Sequence, residues 1–160
     1  MLETLLPGVQ HLQNIHPLVV HFPIAFLMGG GLFYFLALIL QKDTFATTAF
    51  LLLILGTFSA CVAAGTGLYA EEGVMVSLSV REHLLEQHEQ LMLVTTGLSI
   101  ALTLWAVIAQ PFPKKGRLFF LLGFLVLLVV MTAGSDYGAR MVYDYNAGGS
   151  ACPQPIEFAK

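Results

Sequence analysis

Two histidines stand five residues apart where the first long apolar run begins, His16 and His21. Two more stand five apart where the third begins, His83 and His88. Imidazole is costly in or near a bilayer unless it has a partner. Two matched pairs in a chain that is 57% hydrophobic therefore point to one shared object, a bound metal or haem.

Spacing limits the geometry. Five residues turn roughly 140° around a regular helix, at about 100° per residue, so both members of a pair cannot face one point. The sequence offers a way to re-aim them. Pro17 suits a first helical position and pushes His16 out to the helix mouth. Pro23 has no amide proton and frees the carbonyl near Val19, which predicts a kink. Bis-histidine haem b needs one imidazole on each face of the porphyrin. His21 and His88, one turn inside the first and third runs, are the expected axial ligands. His16 and His83 form a second pair, as ligands of another centre at the rim or as partners of the propionates. Arg81 and Arg140 are the basic residues nearest that rim and can pair with propionate. Gly65, Gly67 and Gly134 would let a flat macrocycle approach the backbone. Copper or zinc is the competing occupant, since imidazole suits both. Neither HxxxH nor HExxH occurs.

The elements that must position these residues are long apolar runs. Charge is only 11% of the 160 residues and is clustered, leaving four stretches near the roughly 20 residues a spanning helix needs. The spans expected are 17–40, 45–69, 82–109 and 116–134, with an outer tail over 135–160. This is an all-α membrane protein: one integral domain over 1–160, a four-helix bundle built as two hairpins. Gln41-Lys42-Asp43-Thr44 is a short turn. In the other connection Pro111 and Pro113 stop a helix and Gly116 allows the turn. The N-terminus lacks the basic region of a signal peptide, so the first run is expected to stay in the mature chain. Cys61 is expected to pack mid-helix, Cys152 to lie in a polar tail, and His11 to be solvated. Net charge is −3 with no basic run, so nucleic acid is not an expected partner.

Lys42, Lys114, Lys115 and Arg117 gather at one end with Asp43 as the only acid, whereas most acids lie at the other. The positive-inside rule then puts both termini and all five histidines outside, which in a bacterium is the periplasmic side of the inner membrane. A weak internal repeat accompanies this. His16 and His83 are 67 residues apart, as are His21 and His88, and Ala64-Gly65-Thr66 is echoed by Ala133-Gly134-Ser135. Two parallel hairpins about a pseudo-twofold axis are expected. The stretch from Ser135 to Gly149, rich in tyrosine, reads as an aromatic belt or as a lid over the histidines, with Asp136 or Arg140 behind them.

His16-Pro17-Leu18-Val19-Val20-His21-Phe22-Pro23-Ile24 resembles the opening of a bacterial family of predicted four-helix membrane proteins, usually labelled a domain of unknown function. That family shows an HPxxVHFP start, a histidine opening the third helix, which His88 matches, and a glycine-rich LVYxxGxG ending. Gly138-Ala139-Arg140-Met141-Val142-Tyr143 resembles the ending, and His83 is an addition to the pattern. The resemblance covers Ile15 to Gly148. Fusions of such relatives to c-type cytochrome or Rieske-like domains imply redox work. The combined expectation is a b-type-cytochrome-like electron-transfer protein or subunit rather than a stand-alone enzyme. Its partners would be lipid and a periplasmic c-type cytochrome, quinol or a larger redox complex. The alternatives are a cofactor-free structural subunit of a respiratory or photosynthetic complex, and a copper- or zinc-binding membrane protein.

Overall fold

A computed structural model describes residues 15–71, 77–109, 111–113 and 115–147. His11, Lys114, Cys152 and the tail beyond Ala147 lie outside the described residues. Four long helices account for nearly all of the rest: α1 (His16–Leu40), α2 (Asp43–Glu71), α3 (Leu78–Ala109) and α4 (Arg117–Tyr145). At about 1.5 Å per residue each exceeds the roughly 30 Å of a hydrocarbon core. Their outward faces are apolar: Phe58, Ile108, Phe119 and Val129 are each more than two-thirds exposed, which suits lipid and not water.

Each turn has a local cause. Gln41 ends α1 in the left-handed region at φ 51°, its amide bonded to the Ala37 carbonyl. Gly116 precedes α4 at φ 86°, a conformation glycine takes without steric cost. Asn146 closes α4 at φ 54°, and the amide of Ala147 reaches back to the Met141 carbonyl.

Helix α1 packs on α2 and α4, and α3 packs on the same two, so α1 and α3 face each other diagonally across the bundle. Tight contact rests on small residues. A Cβ on Gly56 would fall 2.6 Å from Cδ2 of the fully buried Leu27, which locks α2 against α1. Between α2 and α3 the contact is polar. The Thr57 hydroxyl donates to the Ser99 carbonyl at 3.2 Å and, its proton spent, accepts from Thr103 at 2.7 Å. The end carrying residues 41–42, 111–113 and 115–116 is sealed by rings. Tyr34 packs on Phe112, Phe120 and Phe124 and gives its hydroxyl proton to the Arg117 carbonyl at 3.2 Å. Of the phenylalanines in the apolar runs, Phe120 and Phe124 are core whereas Phe35 and Phe119 are exposed.

Two boundaries differ from the sequence expectation. Helix α4 does not stop at Gly134 but continues to Tyr145, so Ser135–Tyr145 is helix. Met141 explains this: with Tyr137 it packs on Val80, Leu84 and Leu85 of α3, a small second core that extends the pair past the apolar run. Helix α3 accordingly begins at Leu78, four residues early. Cys61 is exposed on the outer face of α2 instead of packed inside.

Candidate functional site: a diagonal imidazole pair

The first turn of α1, His16–Val19, is set off from the rest at Val20. The bond from the Ile24 amide to the Val20 carbonyl is stretched to 3.5 Å, and Pro23 offers the Val19 carbonyl no proton. The break falls where the sequence places it. On α3 the corresponding irregularity is a π-helical turn at Arg81–Leu85, the kind of widened turn that recurs at functional sites. It directly precedes the segment that carries His88.

His16 and His88 lie beside these two departures and come together across the bundle. Their ring centroids are 6.3 Å apart and their planes cross at 81°. Both side chains are half-buried. His88 Nδ1 lies 2.7 Å from the Gly134 carbonyl oxygen on α4. A carbonyl only accepts, so that nitrogen carries the proton and Nε2 keeps its lone pair. On the other diagonal His16 Nδ1 lies 3.1 Å from the Thr66 hydroxyl on α2. That hydroxyl donates to the Ala63 carbonyl at 3.0 Å, so it accepts from His16, whose Nε2 also keeps its lone pair. The Ala63 carbonyl faces the His16 imidazole as well. Both rings are therefore in the Nδ1–H form, each tied through that proton to the flanking helix of its own hairpin.

Glycine makes room for both. A Cβ on Gly67 would come within 2.9 Å of His16 Cε1, and one on Gly138 within 2.9 Å of His88 Cε1. The hairpins thus share one plan, a histidine on the first helix and a hydrogen-bond acceptor and glycine cradle on the second, though the acceptor is a side-chain hydroxyl in one and a backbone carbonyl in the other. The offset is 72 residues between the histidines and 71 between the cradling glycines, not the 67 suggested by the matched pairs.

The pairing consequently differs from the one expected. His16, and not His21, faces His88. His21 and His83 are exposed, and neither ring contacts another among the described residues. The helical turn explains the sorting, since only one histidine of each pair can point inward. The glycines also differ in role. Gly67 accommodates the His16 imidazole, Gly134 lies against Leu91 and Met92, and Gly65 has nothing within 4 Å of where a Cβ would stand. Arg81 gives Nη1 to Glu71 Oε1 at 3.1 Å and Nη2 to the Glu71 carbonyl at 3.3 Å, tying the end of α2 to the start of α3. Arg140 is exposed and lies 3.9 Å from Asp144 one turn on. Asp136 is exposed. Sequence reasoning missed Thr66 and Gly138. The signal for Gly138 was present in its spacing from Gly67, parallel to that of His88 from His16. Among the described residues no three His, Cys, Asp or Glu side chains gather as a metal cluster.

The fold and the site thus define a four-helix membrane bundle with an imidazole pair across one end. Over residues 12–151 the sequence matches the family model described as a predicted membrane protein, DUF2231, and the chain belongs to that family. No curated protein and no solved structure matches the chain.

Proposed function

We propose that this is a membrane electron-transfer protein in which His16 and His88 are the axial ligands of one haem b. The observation that carries the reading is the imidazole pair itself. A ring bound through Nε2 at about 2.0–2.1 Å has its centroid roughly 3 Å from the metal, so two rings on opposite sides of one ion stand about 6 Å apart. The separation here is 6.3 Å, which direct edge-on packing of two rings also gives. Metal-binding histidines also commonly donate their second nitrogen to a carbonyl or similar acceptor, which fixes ring and tautomer. Gly134 and Thr66 supply those acceptors. Two imidazoles are enough to hold haem iron, whereas zinc takes three or four protein ligands, so haem is favoured over the zinc alternative. The iron would supply the redox change; the chain supplies ligands, orientation and an apolar surround.

The lysine and arginine bias favours a bacterial inner membrane orientation with Lys42, Lys115 and Arg117 in the cytoplasm and the histidine end in the periplasm. There the natural electron partners are a c-type cytochrome, a quinol or a larger redox complex. A second reading, a cofactor-free structural subunit, is favoured by one observation: both imidazoles already hydrogen-bond within the chain. Iron and haem analysis of the purified protein separates the two. One haem per chain supports the first reading, and a colourless protein supports the second.

A further inference from the structure

On a regular helix eight residues turn about 800° and seven about 700°. Val80 would then stand roughly 80° away from the direction of His88, and Arg81 only about 20° from it. In the structure Val80 is inside, buried with Leu84, Leu85 and Met141, and Arg81 is turned to the end of α2. There its Nη1 meets Glu71 Oε1 at 3.1 Å and its Nη2 the Glu71 carbonyl at 3.3 Å. The π-helical turn at Arg81–Leu85 makes the difference. The Glu86 amide reaches the Arg81 carbonyl five residues back, and a turn widened in this way advances less per residue, which rotates everything before it. One helix thereby serves two cores. After the turn, His88, Thr95 and Ser99 lie inside or half inside the bundle. Before it, Val80 and Leu84 pack with Met141 and Tyr137 of α4. That second core borders the site. Tyr137 directly precedes Gly138, where a Cβ would crowd the His88 ring, and Gly134, one turn away, accepts the His88 Nδ1 proton.

We infer that Arg81 and Glu71 are positioning residues for His88. Their ion pair holds the widened turn, the turn docks Val80 and Leu84 on Met141, and that contact keeps the Gly134 carbonyl and Gly138 in place around the imidazole. His16 lies outside this chain of contacts. It leans on Thr66 and Gly67, about a turn or more inside the end of α2. Fixing His88 in this way serves the ligand role proposed above and rests on it, whereas the Nδ1 proton reports the clamp with or without a metal on Nε2.

Nuclear magnetic resonance of the purified, reduced full chain, with 15N in the histidines and the backbone amides, is the test. In Arg81→Ala the His88 Nδ1 proton should lose its hydrogen-bonded shift. The amides of Gly138 and Met141 should exchange about tenfold faster, the worth of a part-exposed ion pair and one further hydrogen bond. The His16 signals and exchange at Gly67 should stay as in wild type. Arg81→Lys, which keeps the charge and can still reach one acceptor, should recover part of the shift. Leu84→Ala, which thins the second core and leaves the ion pair intact, should reproduce the His88 change. Unchanged His88 signals in Arg81→Ala or Leu84→Ala, an equal change at His16, or no recovery in Arg81→Lys would each overturn the assignment. Should Arg81→Ala not fold, Glu71→Gln, which keeps an acceptor oxygen and loses the charge, must give the same selective change at smaller amplitude. The colour of the same samples reads haem separately: a colourless wild type removes the haem reading and leaves the clamp standing.

Discussion

His16 and His88 lie 72 residues apart in the chain and meet with ring centroids 6.3 Å apart, each donating its Nδ1 proton to the helix that follows it in its own hairpin. The arrangement repeats once in each half of the molecule. A histidine at one end of a span, a hydrogen-bond acceptor and a glycine on the returning span make up the unit, and packing two units side by side brings the histidines together on the diagonal.

The tautomers follow from this and are measurable without any metal. In protein labelled with 15N at histidine, two neutral imidazoles should show the tautomer with a protonated Nδ1 and an unprotonated Nε2, and they should be His16 and His88 by loss of their signals in the alanine variants. Thr66→Val should perturb the His16 signals and leave those of His88 unchanged. An Nε2–H form for His88 would contradict the Gly134 hydrogen bond.

The hairpin contact at Gly56 makes a stability prediction. Gly56→Ala places a methyl group 2.6 Å from Leu27 Cδ2 and 3.2 Å from the Leu27 amide nitrogen, and overpacking of this kind costs about 1–3 kcal/mol. Gly97→Ala meets nothing within 4 Å and should be neutral or gain up to about 1 kcal/mol of helix propensity. Unfolding in detergent, followed by circular dichroism, should rank Gly56→Ala below wild type and Gly97→Ala at or above it.

The spans, the two hairpins and the turn glycine at 116 are legible in the sequence because apolar length and turn chemistry are local properties. The true ends of α3 and α4 are not. Met141 and Leu84 extend those helices by packing on each other, and neither belongs to an uninterrupted apolar run. The candidate site was half legible. Helical geometry forbids both members of a five-residue pair from facing inward, and that argument holds. It does not choose the member. His16 was placed at the rim because it precedes Pro17. Gly67 and Gly138 favour the observed members, because their missing side chains leave the space that the His16 and His88 imidazoles fill. That is a property of facing helices, visible in one sequence solely as the near-equal offsets of the two histidines and the two glycines.

The proposed orientation is open to direct chemical test. In a Cys61→Ala, Cys152→Ala background, Lys115→Cys should resist an impermeant thiol reagent added to intact cells, and Asp144→Cys should react. The reverse pattern would place the histidine end in the cytoplasm and exclude a periplasmic electron partner.

The visible absorption spectrum of the purified protein, taken across the four histidine variants, bears most directly on the proposed centre. A Soret band at about one haem per chain should be present in wild type, His21→Ala and His83→Ala, whose imidazoles are exposed. It should be lost in His16→Ala and His88→Ala. A band that survives both of those substitutions, or a wild-type protein with no band at all, would contradict the diagonal imidazole pair as a haem site.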